Sequence, residues 1–243
     1  DDSCRTWSEL QPAPGRLRER TFIRNHIVTR DGRILLPFQH YLRAAETRTI
    51  SKNRRFSPPT NPRNGVLISE DGGKTWTEHG DIRISSNDDY HGWAENNIVE
   101  LSDGRLMMFI RTDAGSQYVC HSTDGGDTWS KAGPSELASP LSPASIERVP
   151  WTGDLVCVWN DHSGRHPYPK GRRTPLCMAI SKDEGESWGP SRVIEADPDG
   201  WYCYTAIAFL EDRMLLAYCA GDKQVGGLNR LKVRGIDRAD LPD

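Results

Sequence analysis

An eight-residue pattern, Ser-x-Asp-x-Gly-x-Ser/Thr-Trp, occurs three times in this chain of 243 residues and strongly restricts its fold. The copies are Ser69–Trp76, Ser122–Trp129 and Ser181–Trp188, and Asp2–Trp7 is a partial copy in which Cys4 replaces the glycine. The final tryptophans of these copies are 69, 53 and 59 residues apart. Repeats of about 40–50 residues, here lengthened by loop insertions, are typical of β-propeller blades.

The residue types in the pattern favour a tight turn between two strands. The Asp carboxylate can accept hydrogen bonds from the N–H groups of its own turn, the Gly allows a positive φ, and the Trp can pack under the blade. We therefore interpret each Asp of the pattern as a turn former and not as a catalytic residue.

Strands can be placed around these turns. Apolar runs flank Asp31-Gly32, Asp103-Gly104, Gly153-Asp154 and Glu211-Asp212, which predicts four hairpins. A polar stretch at 43–63 is predicted to be a surface loop. Counting strands gives three complete blades and two incomplete ones within a single domain, 1–243. The first incomplete blade is Asp2–Leu10, and the second begins near Tyr204.

An open propeller exposes strand edges, which closure of the ring normally protects. We therefore expect an all-β, six-bladed β-propeller, seen here in part, with about one to two further blades of about 40–50 residues upstream of Asp1.

Composition excludes several classes of partner. The formal net charge of −3 gives no basic surface for nucleic acid, and no run of 18 apolar residues predicts a membrane span. The six cysteines lack the spacing of a zinc site or a disulfide framework, so we interpret them as small buried residues. Localisation and oligomeric state stay open.

Polar residues at the ends of inner strands should converge at the centre of a propeller. Glu95 precedes a predicted strand, Arg111 ends the next, Arg173 precedes Leu176, and Tyr202 precedes the first strand of the last blade. Taken singly, each of these can be an ordinary surface residue. His26, Gln39 and His40 lie near another strand end, although His26 also suits a packing role.

At these positions the chain resembles the sialidase (neuraminidase) superfamily, whose repeated turn, the Asp box or BNR repeat, has the pattern described above. One segment resembles the part of these proteins that holds a Glu and the second Arg of the family's carboxylate-binding triad. It reads Glu95-x-x-x-Val99-Glu100-Leu101-x-Asp103-Gly104-Arg105-Leu106-x-x-x-x-Arg111. Arg173-Thr174-Pro175-Leu176 resembles the segment of the third Arg, and Tyr202-Cys203-Tyr204-Thr205 resembles that of the nucleophilic Tyr. Ser139-Pro140-x-Ser142-Pro143-Ala144-Ser145-Ile146 resembles a bacterial subgroup of sialidase-like proteins.

The resemblance implies an exo-α-sialidase-like glycosidase that releases a terminal sialic acid or a related acidic sugar without a metal or other cofactor. Tyr202 is then the nucleophile, Glu95 its base, Arg111 and Arg173 the carboxylate clamp, and Tyr204 and His26 further substrate contacts. Arg guanidinium groups bind carboxylates through two parallel hydrogen bonds. A neutral Tyr can attack beside a substrate carboxylate, which would repel a carboxylate nucleophile.

Several alternatives stay open at this point. Tyr204 competes with Tyr202, because strand alternation puts both on one face, and Arg172 competes with Arg173. The family's first triad Arg and its acid Asp are expected upstream of Asp1. Cys203-Tyr204-Thr205 differs from the usual pattern around the nucleophile, so the sugar can be one other than sialic acid. The main rival function is a non-catalytic Asp-box propeller that binds glycan or protein, and a third is a hydrolase or lyase of uronic acids.

Overall fold

The computed structural model of the protein describes residues 5–10, 22–23, 25–41, 62–85 and 92–241. These residues contain sixteen β-strands and one short 3-10 helix, Arg238–Asp240. The strands form four antiparallel sheets, each built from consecutive strands of the chain. The prediction of an all-β, propeller-like arrangement is confirmed.

Each sheet is one blade, and its strands run in chain order from the inner edge to the outer edge. The first contains β1 (Phe22–Ile23), β2 (Ile27–Val28), β3 (Ile34–Tyr41), β4 (Pro62–Ser69) and β5 (Thr77–Ile82). The second contains β6 (Asn96–Glu100), β7 (Leu106–Ile110), β8 (Ser116–Ser122) and β9 (Gly133–Ala138). The third contains β10 (Ser145–Arg148), β11 (Leu155–Asn160), β12 (Leu176–Ser181) and β13 (Arg192–Glu195). The fourth contains β14 (Trp201–Phe209), β15 (Arg213–Gly221) and β16 (Leu231–Asp237).

The blade count differs from the prediction in one place. Three blades have all four strand positions, with the innermost strand of the first divided into β1 and β2, which both pair with β3. The fourth blade has three strands, as predicted for the incomplete last unit. The other incomplete unit, Asp2–Leu10, is not seen as a blade, since residues 5–10 form no strand and residues 1–4 lie outside the described residues. Most of the predicted loop at 43–63 also lies outside them, and β4 already begins at Pro62. Closure into a ring of six blades stays a prediction.

Burial of the central strands on both faces holds neighbouring blades together. In β7, Leu106, Met108 and Ile110 pack against the first blade, because they share one apolar cluster with its residues. The alternate residues Met107 and Phe109 belong to the cluster shared with the third blade. This explains why the central strands appear in the sequence as continuous apolar runs and not as alternating patterns.

The Asp boxes have the predicted hydrogen bonds. In Ser122–Trp129, the Ser122 hydroxyl donates to Asp124 Oδ1 (2.8 Å) and accepts the N–H of Gly126 (2.8 Å). Asp124 accepts the N–H and the hydroxyl of Thr128 at 2.9 and 2.5 Å. The Trp129 indole N–H donates to the Gly126 carbonyl (3.0 Å). The Ser and Asp contacts recur in the other two copies, so each box is a self-contained turn.

In the second and third boxes, the glycine at the fifth position of the pattern also lies against the preceding blade. Gly126 has φ +103°, and a Cβ at this position would lie 3.0 Å from Leu35 and 3.2 Å from Ile68 of the first blade. Gly185 has φ +87°, and its Cβ would lie 2.8 Å from Met107 of the second blade. A side chain at either position would therefore overlap the preceding blade.

Two composition-based predictions can be compared with the described chain. No helix within it is long and apolar enough to cross a membrane. Cys120, Cys157, Cys177 and Cys203 are buried free thiols and Cys219 is partly buried, as expected for small packing residues.

Candidate active site

The predicted site residues lie at the blade ends opposite to the Asp boxes. Each box follows the third strand of a blade, whereas Glu95 directly precedes β6 and Arg111 directly follows β7. Arg173 lies just before β12, and Tyr202 and Tyr204 lie near the start of β14. In antiparallel blades these positions share one end, so the topology gathers residues that are far apart in sequence.

Glu95 and Arg111 form a buried ion pair. Arg111 Nη1 lies 2.8 Å from Glu95 Oε2, and the two side chains are 5% and 7% exposed, respectively. The Arg111 backbone N–H also donates to the Glu95 carbonyl at 2.9 Å. These two contacts fix the carboxylate at the inner edge of the second blade.

Tyr204 reaches this carboxylate from the fourth blade. Its hydroxyl donates to Glu95 Oε1 at 3.1 Å, across 109 residues of sequence. Burial, and to a smaller extent the charge of Glu95, raises the pKa of the Tyr204 hydroxyl. The hydroxyl is therefore protonated at neutral pH, with its proton directed at Glu95.

The structure does not bring Tyr202 to Glu95, in contrast to the role given to it from sequence. Tyr202 is 6% exposed and belongs to the apolar cluster between the third and fourth blades. Its ring packs edge-on against Tyr218, with the ring centroids 6.4 Å apart. Burial, followed by the nearby charge of Glu195, raises its pKa to about 12. These contacts are typical of a packing residue.

A break in strand alternation separates the two tyrosines. The pairing of β14 with β15 shifts register between Cys203 and Ala206, and Tyr204 has φ +57°. A non-glycine residue at positive φ is uncommon, and β-bulges frequently re-aim a side chain next to an active site. The expectation that both tyrosines share one face is therefore wrong, because the bulge turns Tyr204 towards Glu95.

Arg173 completes the cluster. It is 9% exposed, and its guanidinium carbon lies 5.6 Å from the centre of the Tyr204 ring and 5.1 Å from that of Trp201. Its backbone carbonyl accepts the N–H of Tyr202 at 2.9 Å, which connects the third and fourth blades. No carboxylate among the described residues lies within ion-pair distance of its guanidinium. Arg173 is thus a nearly buried cation held between aromatic rings.

The remaining candidates lie elsewhere or at the margin. Arg172 is more exposed than Arg173, and its backbone N–H bonds to Pro169. His26 is exposed, and no hydrogen bond or ion pair among the described residues joins it to the cluster. Gln39 is buried and its side-chain oxygen accepts the N–H of Ala94 at 2.8 Å, next to Glu95. The side chain of His40 lies outside the described residues.

Buried polar atoms without a hydrogen-bond partner also occur at this end of the blades. Arg111 Nε is one of them, next to the Glu95 pair. Others belong to residues at or near strand ends in three blades: Asn64, Asn96, Ser142, Asn160 and Thr174. Unpaired buried polar groups are rare, and each calls for an explanation such as an ordered water, a bound ion or a catalytic role. Sequence reasoning missed these residues, because a single Asn or Thr at a strand end has no distinctive pattern.

Curated relatives of the chain include bacterial sialidases. The chain is 26% identical over 158 residues to a sialidase of Bacteroides fragilis, covering 62% of this chain and 27% of that protein. It is 29% identical over 153 residues to a sialidase of Micromonospora viridifaciens, covering 58% and 21%, respectively. The chain therefore spans about a quarter of the length of these relatives.

A solved structure shows a similar fold. The intramolecular trans-sialidase from Ruminococcus gnavus, in complex with oseltamivir carboxylate, superposes with a TM-score of 0.66 at 21% identity. The match covers 99% of this chain and 50% of that one. The sequence profile described as BNR repeat-like domain matches residues 1–216.

Proposed function

Because the chain belongs to the family of BNR repeat-like domains, we propose that it forms part of an exo-α-sialidase-like glycosidase that cleaves a terminal sialic acid or a related acidic sugar. In this proposal Tyr204 is the nucleophile, in place of Tyr202, and Glu95 is its base. Arg173 and Arg111 bind the substrate carboxylate.

Arg173 is the observation that carries the proposal. A nearly buried guanidinium is costly unless it is paired, and the described residues place no carboxylate against it. A sugar carboxylate can form two hydrogen bonds with such a group. An acidic sugar bound there would lie next to the Tyr204 ring and hydroxyl.

The chemistry follows from the Tyr204–Glu95 hydrogen bond. Glu95 removes the phenol proton while Tyr204 Oη forms a bond to the anomeric carbon and the glycosidic C–O bond breaks. A general acid other than these residues protonates the glycosidic oxygen as it leaves. Water then releases the sugar from Tyr204, so two displacements retain the anomeric configuration. A neutral phenol suits this step, because a carboxylate nucleophile would be repelled by the carboxylate of the sugar.

Hydrolysis of an aryl sialoside by the full-length protein tests the proposal, with the two tyrosines as a matched pair. We expect Tyr204→Phe to lower kcat/KM by about 10³-fold or more, the scale of losing a nucleophile. Glu95→Gln should lower it by about 10²–10⁴-fold, the scale of losing a general base. Tyr202→Phe should stay within a few-fold of the wild type.

Other outcomes point elsewhere. Loss of activity in Tyr202→Phe with retention in Tyr204→Phe would reverse the assignment. A folded wild type that binds sialyl-oligosaccharides without cleaving them would favour the non-catalytic propeller. A wild type that ignores sialosides but cleaves uronic acid glycosides would keep the Arg clamp and change the sugar.

A further inference from the structure

Three potential metal ligands converge in the third blade, outside the candidate active site. Asp161 follows β11, His166 lies in the loop that leads to β12, and Cys177 lies within β12. One donor atom from each lies within 4.8 Å of the other two. Within the described part of the chain, no other group of three His, Cys, Asp or Glu donors is gathered in this way.

The acidic member of this group is buried next to His166, with no Lys or Arg among the described residues paired to it. Asp161 is 1% exposed and Cys177 is 0% exposed. The Asp161 carboxylate accepts the Ser163 N–H at 2.8 Å and the Ser191 hydroxyl at 2.6 Å. Buried carboxylates are normally paired with a cation or coordinate a metal.

We propose that Asp161, His166 and Cys177 bind a divalent transition-metal ion of the Zn²⁺ type. The donor set of carboxylate oxygen, imidazole nitrogen and thiolate sulfur suits Zn²⁺ and is unsuited to Mg²⁺ or Ca²⁺, which take oxygen ligands. Zn²⁺ lies about 2.0–2.3 Å from such donors, so the donors of a tetrahedral site are about 3.3–3.7 Å apart. Since no separation in this group exceeds 4.8 Å, closing it takes at most about 1–1.5 Å of side-chain movement.

Ser191 is the supporting residue of this site. Its hydroxyl contacts both Asp161 and the His166 ring, the latter with 3.0 Å between Ser191 Oγ and Nε2. Such outer partners orient metal ligands. Binding converts the Cys177 thiol into a thiolate bound to the metal and releases one proton to solvent, so the Asp161 carboxylate and the thiolate together balance the formal charge of the ion.

The ion would secure the loop between β11 and β12. Arg173 lies near the end of that loop, four residues before Cys177. A metal bound to Asp161, His166 and Cys177 would hold the segment of the loop that leads to Arg173. The metal would take no part in the glycosidase reaction.

Metal binding can be measured without an activity assay. The purified, untagged protein is dialysed against Zn²⁺, and a second sample against Co²⁺, whose thiolate complexes show a charge-transfer band in the near ultraviolet. We expect one ion per chain and a thiolate–cobalt band. His166→Ala should weaken Zn²⁺ binding by more than about 10-fold, and Ser191→Ala by about 10-fold.

Matched controls make the result decisive. His162→Ala removes a neighbouring histidine whose ring contacts the Thr174 carbonyl at 3.1 Å and not the cluster, so binding should be unchanged. Cys120→Ala removes a buried thiol of the second blade and should leave the cobalt band intact. Because Cys177 is a core residue, Cys177→Ala is interpreted only if thermal unfolding shows a folded protein. Zn²⁺ uptake that is equal in the wild type and His166→Ala, or a cobalt complex without the thiolate band, would overturn the proposal.

Discussion

The two ends of the blades are built from different kinds of contact. At the Asp-box end, Asp124 is bound by Ser122 and Thr128, within four residues of itself. At the opposite end, Glu95 is bound by Arg111 and by Tyr204, 16 and 109 residues away. One end is therefore determined by local sequence, and the other by the relative placement of blades.

The two ends should therefore be sensitive to different mutations. A box can form wherever its eight residues occur, whereas the Glu95 cluster needs at least the second, third and fourth blades in place. Mutations at the site end should affect both stability and activity. Mutations at the box end should affect the packing between blades or the pH dependence of stability.

The largest expected effect on stability is at the buried ion pair. Arg111→Met leaves the Glu95 carboxylate buried without its cation and should cost about 3–5 kcal/mol of unfolding free energy. Arg105→Met is the matched control at the hairpin end, because its 2.7 Å pair with Asp103 is 34% and 50% exposed. It should cost much less than Arg111→Met, because solvent screens an exposed ion pair. Urea unfolding at pH 7 measures both, and equal costs would contradict the distinction between the two ends.

A second comparison tests the contact between a box and the preceding blade. Gly126→Ala combines positive φ with overlap on Leu35, whereas Gly72→Ala has positive φ and nothing within 4 Å of the new Cβ. We expect Gly72→Ala to lower the free energy of unfolding by about 1–2 kcal/mol because of backbone strain. Gly126→Ala should lower it by about 1–3 kcal/mol more because of overpacking. Thermal unfolding of both variants measures the difference. Equal destabilisation would mean that the boxes do not contribute to the packing between blades.

The burial of Glu147 between blades can be tested through the pH dependence of stability. This residue lies on β10 between Ser145 and Val149, which face the fourth blade, and burial raises its pKa from 4.5 to about 7. In the unfolded chain Glu147 loses its proton at a lower pH than in the folded protein. The free energy of unfolding therefore falls as the pH rises from about 4.5 to about 7. Glu147→Gln should be more stable than the wild type by about 1–2 kcal/mol at pH 8 and equal to it at pH 4. Parallel urea curves at the two pH values check this, and a difference that does not change with pH would contradict it.

The smallest effect is expected at the boxes and has the opposite sign. Hydrogen bonds from the Thr128 hydroxyl and N–H lower the pKa of Asp124 from 3.8 to about 2. This contribution is present above about pH 4 and lost as the pH falls towards 2. Asp124→Asn should therefore flatten the pH dependence of stability in that interval. An unchanged slope between pH 4 and pH 2 would show that the box carboxylate does not titrate as its contacts indicate.

Much of the fold could be predicted from sequence, because the features that determine it are local. The Asp boxes and the hairpins are short patterns, and the continuous apolar runs mark strands buried on both faces. The strand count failed at Asp2–Leu10, where residues 5–10 form no strand. There the repeat fits only in part, and one partial turn pattern does not specify a blade.

The site was less accessible to sequence reasoning. Glu95, Arg111 and Arg173 occupy the strand ends that the pattern indicated, and the structure places them around one centre. The proposal of Tyr204 in place of Tyr202 depends on the bulge after Cys203, which strict alternation does not predict. The separate group of Asp161, His166 and Cys177 was not predicted from the sequence, because these residues are close only in the folded third blade.

Whether Tyr204 is the nucleophile can be tested by identifying the residue that becomes covalently bound to the sugar. A 3-fluorosialosyl fluoride, whose ring fluorine slows hydrolysis of the intermediate, is incubated with the full-length protein, and the labelled peptide is fragmented by mass spectrometry. We predict the label on Tyr204 and none in Glu95→Gln under the same conditions. A label on Tyr202, or sialoside hydrolysis without any labelled tyrosine, would contradict this assignment.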